Sequence, residues 1–370
     1  MPEHDQPHLY VQRPIRWFWA PLLLGLVAGC GRSESAGDGS GAEHGEYLSG
    51  SLKGRIFIMV VADSMHAQHL SAYGYARETS PFIERLAKGG IRAQRALSQT
   101  SWTLPSVMSL FTGLMQEHHG IRLQTQSMGA DGPQTLAEMF KAAGYRTMAY
   151  QENGTAGRRS GVGRGFDEYR MKRTGLRAAS ETTDEARAEI SAALEEGAEP
   201  LFLYVHMLAP HMPYSPPAPF DSLYREVEGS DVTGSIQDAA SVQVRGLQPD
   251  HPDNLRLIET YDAHVTYADD RVRLLLEPFL ESHGERLCVL FTSDHGEAFM
   301  QHGAAGHNLL CFEEMVSIPW VLSAPGVLPR GVEIPGPVST LDAVPTIAQL
   351  FGLELPARRL DGTSAVESFA

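Results

Sequence analysis

Cysteine is scarce, with only three in 370 residues, at Cys30, Cys288 and Cys311. That is too few for a disulfide framework, so stability has to come from packing. Basic residues are also short: 30 Lys and Arg against 45 Asp and Glu leave a net charge of −15. A charge of that sign excludes a protein that grips nucleic-acid phosphates, and it works against docking on anionic lipid by charge alone. Charged residues make up 20% of the chain against 42% hydrophobic, which excludes a mainly disordered polymer. No internal repeat is present, and the 36 Gly and 23 Pro follow no period, which excludes collagen. What remains is a loop-rich globular chain, long enough for one large α/β catalytic domain with a sizeable core.

Near the start, Arg13 and Arg16 precede an apolar run at 17–29. It is too short to span a bilayer comfortably, but it has the length of a secretory signal core. Small residues lead directly into Cys30, as in the lipobox of bacterial lipoproteins. That resemblance implies cleavage before Cys30 and lipidation of Cys30, with residues 1–29 removed. Gly- and Ser-rich sequence without apolar period then reads as a flexible tether over 30–50. The expected location is therefore outside the cytoplasmic membrane, in the periplasm or cell envelope, with the chain anchored through lipid.

Beyond the tether, residues 55–62 form a β-branched apolar run suited to a strand covered on both faces. Thr79-Ser80-Pro81 then opens a helix, with a capping residue, proline in the first turn and glycines beyond the end. The alternation continues with a helix near 134–143, a strand near 145–150, a helix at 182–195 and a strand at 201–205. A long helix over 254–282, strands at 287–292 and 318–323 and a helix at 342–351 complete it. Such alternation predicts a doubly wound, mainly parallel sheet with helices on both faces. Residues 221–252 are polar and aperiodic, and read as an inserted lid-like loop. Cys288, inside the apolar run 287–291, reads as a small buried hydrophobe.

In open α/β sheets, ligand sites lie outside the carboxyl ends of the strands. Asp63, His206 and Asp294-His295 each follow one of the predicted strands, so three distant segments deliver ligand-type side chains to one edge. Two carboxylates and an imidazole make a mixed oxygen and nitrogen set suited to calcium, manganese or zinc. Thr103 lies just before a helix that Pro105 can start, where free backbone N–H groups and the helix dipole favour an attached tetrahedral anion. A threonine hydroxyl is a weak nucleophile unless a metal or base lowers the cost of its alkoxide.

Asp63 after its strand, HLSAYGY at 69–75, TSPFIERLAKGG at 79–90, SWTLPS at 101–106, SLFTGL at 109–114, SDHGE at 293–297 and HG at 302–303 resemble, in this order, the sulfatase family of the alkaline phosphatase superfamily. HMLAPHMPYSPP at 206–217, YDAHVTYADDRV at 261–272 and FEEMVSIPWVLSAPG at 312–326 are also similar. The resemblance runs over roughly 55–355 and implies a catalytic domain at 51–355, with a tail at 356–370. It implies metal ligands at Asp63, Asp294 and His295, and a nucleophile at Thr103 that itself touches the metal. His211 would contact the ester or its leaving group. His307 falls where many relatives carry an anion-binding lysine, and His302 lies nearby as a further candidate.

Three departures bear on the reaction. Oxidation to formylglycine needs Cys or Ser followed by x-Pro-x-Arg, whereas this chain reads Thr103-Leu104-Pro105-Ser106-Val107. Ser64 stands where many relatives have a second Asp, and His264 where an acidic residue is common. The sequence ends soon after GLELPARRLDG, so the small C-terminal subdomain of larger sulfatases is expected to be missing. The expected function is metal-dependent hydrolysis of a sulfate or phosphate ester at Thr103. One alternative is a phosphotransferase of the phosphoglycerol or phosphoethanolamine type working through a phosphothreonine. The other is a catalytically inactive binding protein that keeps the fold.

Overall fold

The computed structural model describes residues 47–171, 178–196, 200–307 and 310–369. The expected signal segment, Cys30 and residues 31–46 of the tether lie outside the described residues. The last tether residues are packed: Leu48 is buried, and Gly50 donates its N–H to the Gln349 carbonyl at 2.8 Å.

The chain builds a mostly parallel sheet of nine strands among the described residues. In chain order these are β1 (Ile56–Ala62), β2 (Ile91–Leu97), β3 (Arg146–Gln151), β4 (Glu168–Met171), β5 (Leu201–Met207) and β6 (Leu287–Thr292). A separate hairpin, β7 (Ala298–Phe299) with β8 (Ala305–Gly306), precedes β9 (Ser317–Ile318), β10 (Trp320–Ser323) and β11 (Val332–Ser339). Across the main sheet the order is β11-β2-β10-β6-β1-β5-β3-β4, with β9 beside β2. Strands β6, β1, β5, β3 and β4 run parallel, while β10 is antiparallel to both of its neighbours.

Central β1 explains itself through its side-chain alternation. Phe57, Met59 and Val61 enter the layer that also holds Leu104, Val107, Phe140 and Ile347. Ile56, Ile58 and Val60 enter the opposite layer with Ile83, Ile190, Leu257 and Val265. Every residue of β1 is buried, so both faces require apolar side chains, and each such side chain contributes roughly 1.5–3 kcal/mol. Helices Thr103–Thr112, Leu136–Ala142 and Ala343–Phe351 cover one face; Pro81–Lys88, Ala178–Glu196 and Pro252–His283 cover the other.

The structure differs from the sequence reading in several places. The single strand expected at 318–323 is split by Pro319 into β9 and β10, because proline has no N–H for the ladder. The stretch 221–252 is not all loop: Ile236–Val244 is a helix closed by a capping box between Ser235 and Asp238. Strands β2, β4 and β11 and the β7–β8 hairpin lie where the sequence pattern shows no strand. The tail folds back over its described residues 356–369, with the N–H of Asp361 donating to the Gly113 carbonyl and Val366 and Phe369 buried in the core.

Candidate active site

Parallel pairing of β6, β1, β5 and β3 brings their carboxyl ends to one edge, where Asp63, His206, Asn153 and the Asp294-His295 pair meet. Asp63, Asp294, His295 and His206 are fully buried, and Thr103 is 1% exposed. One ligand atom from each of Asp63, Asp294 and His295 falls within 4.8 Å of the others. His295 Nε2 stands 3.6 Å from Asp63 Oδ1, 3.4 Å from Asp294 Oδ2 and 3.5 Å from Thr103 Oγ1. Thr103 is the first residue of its helix, and Ser106 one turn on ties that helix to the Asp294 carbonyl at 2.5 Å and to Ser98 Oγ at 2.8 Å.

The atoms around this cluster are oriented by their outer partners. His295 Nδ1 donates to the Gly296 carbonyl at 3.0 Å, which leaves the Nε2 lone pair facing the carboxylates. Asp294 Oδ1 accepts the N–H groups of Ser64 (3.2 Å) and His295 (3.0 Å), whereas buried Oδ2 receives no hydrogen bond. A buried carboxylate oxygen without a donor is costly unless a cation satisfies it. Ser64 takes a left-handed φ of 61° directly after Asp63, a strained turn at the strand tip. Together, two anionic carboxylates, a free imidazole lone pair and an undonated oxygen fit a divalent cation.

His206 acts behind Asp63. Gln151 Nε2 (3.1 Å) and the Tyr204 hydroxyl (2.8 Å) both donate to its Nδ1, so its Nε2 carries the proton and faces Asp63 Oδ2 at 3.3 Å. Burial, the largest single effect, would lower the His206 pKa, but the nearby carboxylates of Asp63, Asp294 and Glu152 together outweigh it and the net direction is up. Burial alone would raise the Asp63 carboxyl; the surrounding imidazoles of His211, His206 and His295 outweigh it and hold the group far below the usual carboxylate range. Burial is the largest effect on His295 and lowers its pKa, against the pull of Asp294.

His307 and His211 close the site from one side. Their rings lie 4.8 Å apart, and the His307 ring is 4.3 Å from that of His295. His307 Nδ1 pairs with buried Glu297 at 3.1 Å. Burial opposes its charge, but Glu297 with Asp63 and Asp294 raises its pKa to about 9, so the ring is cationic at neutral pH. His211 Nδ1 donates to the Met212 carbonyl at 2.6 Å, leaving Nε2 unbonded. His264, expected where relatives carry an acid, is buried beside His211 and pushed down to about 3 by burial, so it is neutral. His302 does not join the group. It sits at the turn of the β7–β8 hairpin, pairs with Glu314 at 2.8 Å and stacks on Phe312. Asn153, which the sequence reading passed over, touches both Asp63 and Thr103. It lies two residues past the end of β3, so the strand-tip rule that found Asp63 also points to it.

A model of the sulfatase family matches residues 55–353, and the chain belongs to that family. Among curated relatives, the ulvan-active sulfatase of Formosa agariphila is 22% identical over 81% of this chain and 62% of that protein. The choline-sulfatase of Rhizobium meliloti is 30% identical over 46% of this chain and 36% of that protein. The chain thus spans about three-fifths, or less, of these relatives' length. The fold is that of the phosphonate monoester hydrolase of Agrobacterium radiobacter, with a TM-score of 0.68 at 18% identity, covering 85% of this chain and 77% of that one. This establishes the alkaline phosphatase-like sheet expected from the sequence.

Proposed function

We propose that this protein hydrolyses sulfate or phosphate esters of monoanionic type, with Thr103 as nucleophile. The observation that carries the reading is the buried cluster in which Thr103 Oγ1 lies 3.5 Å from His295 Nε2, itself 3.6 and 3.4 Å from the Asp63 and Asp294 carboxylates. Asp63, Asp294 and His295 would hold one divalent ion, with manganese or zinc favoured by the imidazole. Such an ion supplies positive charge that makes the threonine alkoxide accessible and steadies the ester oxygens.

The chain's own residues supply the rest. Thr103 attacks sulfur or phosphorus at a position fixed by the helix start and by Ser106. Cationic His307 donates to a nonbridging oxygen or to the departing alkoxide, and His211, with its free Nε2, lies beside the leaving group. Charge supports the ester type. Asp63, Asp294 and Glu297 contribute three negative charges, against one on His307 and two on a divalent ion, so the site is near neutral before His206 is counted. That balance suits a monoanionic sulfate ester or phosphate diester better than a dianionic phosphate monoester. Cys30 and the apolar run before it support export and a lipid anchor, which holds the enzyme at a membrane surface in the cell envelope.

The test is turnover of aryl sulfate, aryl phosphate monoester and aryl phosphate diester by the purified full-length chain, with and without manganese, zinc or calcium. Metal-dependent turnover that is lost in Thr103→Ala supports the reading; full activity in that variant overturns it. Mass spectrometry of the peptide bearing Thr103, taken during turnover, separates hydrolysis from a phosphotransferase: a phospho-adduct passed to an alcohol acceptor rather than to water identifies the latter. Mass spectrometry of the mature N-terminus checks for diacylglycerol on Cys30; an unmodified cysteine or an uncleaved leader refutes the anchor.

A further inference from the structure

We propose that Asn153 is a catalytic residue that holds the Thr103 oxygen by a hydrogen bond as its proton leaves. The inference rests on the nucleophile reading above and deepens it. Asn153 Nδ2 donates to Asp63 Oδ2 at 2.5 Å and to Thr103 Oγ1 at 3.2 Å. A primary amide nitrogen carries two hydrogens, one for each acceptor, so both bonds form together.

The amide is oriented without ambiguity. Its Oδ1 accepts from the Thr155 N–H at 2.9 Å and from Thr155 Oγ1 at 2.6 Å, which fixes oxygen on that side and nitrogen toward the site. The Asn153 N–H donates to Gln151 Oε1 at 3.0 Å, and Gln151 in turn bonds His206, the partner of Asp63. Asn153 is 7% exposed, so a donor lost here is not replaced cheaply by water.

The chemical consequence follows from the direction of these bonds. Because Thr103 Oγ1 accepts from Asn153, its own hydrogen points away from the amide, into the cluster. When that hydrogen is given up to water and the oxygen bonds to the sulfur or phosphorus of the ester, the bond to the leaving oxygen breaks. The departing alkoxide then takes a proton from His307. Throughout, the amide stays a donor to the attacking oxygen and strengthens as negative charge gathers there. A neutral donor does this without adding a positive charge that would draw Asp63 away from its role. Asn153 meets the attacking atom rather than the substrate, so its removal acts on kcat and leaves KM nearly unchanged.

The experiment compares Thr103→Ala, Asn153→Ala, Thr155→Val and Thr155→Ser in the full-length chain, reading kcat, KM and calorimetric affinity for Mn²⁺. Removing one such donor is expected to lower kcat about 100- to 1,000-fold, with KM within about threefold and Mn²⁺ affinity unchanged, since metal ligands are intact. Thr155→Val, which loses one of the two bonds that orient the amide, is expected to lower kcat about tenfold, the equivalent of one hydrogen bond, and Thr155→Ser to restore it. If Thr103→Ala is inactive while Asn153→Ala keeps the parent kcat, this proposal is overturned and the nucleophile reading stands. If Thr103→Ala remains active, the nucleophile reading itself fails. Should Asn153→Ala not fold, the Thr155 pair decides: equal kcat in Val and Ser variants refutes the orienting network.

Discussion

Glu152 makes a prediction of unusual sign. It follows β3, is 1% exposed, and accepts the Leu208 N–H on Oε2 at 2.7 Å while Oε1 receives no hydrogen bond. Burial, as the largest effect, raises its pKa from 4.5 to about 7. A carboxyl whose folded pKa is raised favours folding while protonated. Its contribution is complete below pH 4.5 and is lost as pH rises through 7. At 1.36 kcal/mol per pH unit, the cost of the ionised form reaches about 3 kcal/mol above pH 8 and is below about 1 kcal/mol at pH 5. Glu152→Gln keeps the shape and an acceptor for Leu208 but cannot ionise. The variant should therefore be more stable than the parent by about 3 kcal/mol at pH 8, with the advantage shrinking toward pH 5. Chemical denaturation of both proteins at pH 5, 6, 7 and 8, in the presence of the same metal, measures the difference. An advantage that does not change with pH, or a destabilised variant at pH 8, would refute the reasoning.

Further outcomes are expected. Ser106→Ala removes buried bonds to the Asp294 carbonyl and to Ser98, so it should cost about 1–3 kcal/mol in thermal or urea unfolding and lower kcat by loosening the Thr103 helix; an unchanged kcat would argue against that tie. Asp269 accepts the N–H groups of Phe82 and Ile83 at 3.0 and 2.9 Å, where Ser80 provides no side-chain cap. Asp269→Ala should therefore lose about 1–2 kcal/mol of stability by urea titration, and a neutral result would show that the cap is dispensable. His302→Ala should leave kcat and KM unchanged, because its partners are Glu314 and Phe312; a large loss would bring it back into the site. Chelation should lower the melting temperature, with about 3 kcal/mol returned when a metal is added at a hundred times its dissociation constant. Asp294→Asn should abolish that response.

Much of the central architecture could be read from residue pattern alone, because β1, β5 and β6 are buried on both faces and such strands are nearly continuous apolar runs. The strand-tip rule likewise found Asp63 and Asp294-His295. What escaped has physical causes. In β2, the sequence IRAQRAL breaks its alternation at the exposed pair Gln94-Arg95. In β11, Gly336 and Pro337 argue against a strand, yet an edge strand tolerates them through a register shift between Ile334 and Pro337. The helix Ile236–Val244 buries only Ala239 and Val242, too little to print a period. His302 stands near His307 in sequence, but the hairpin turn, with φ of 68° at Met300 and 73° at Gly303, carries it outward.

The central claim is that Asp63, Asp294 and His295 hold a divalent ion in front of the Thr103 hydroxyl. Anomalous diffraction from crystals of the protein soaked in manganese tests it most directly. The account predicts one strong peak within direct coordination distance of both carboxylates and His295 Nε2, facing Thr103 Oγ1, and lost in Asp294→Asn. A peak elsewhere, or none at these side chains at saturating manganese, would contradict it.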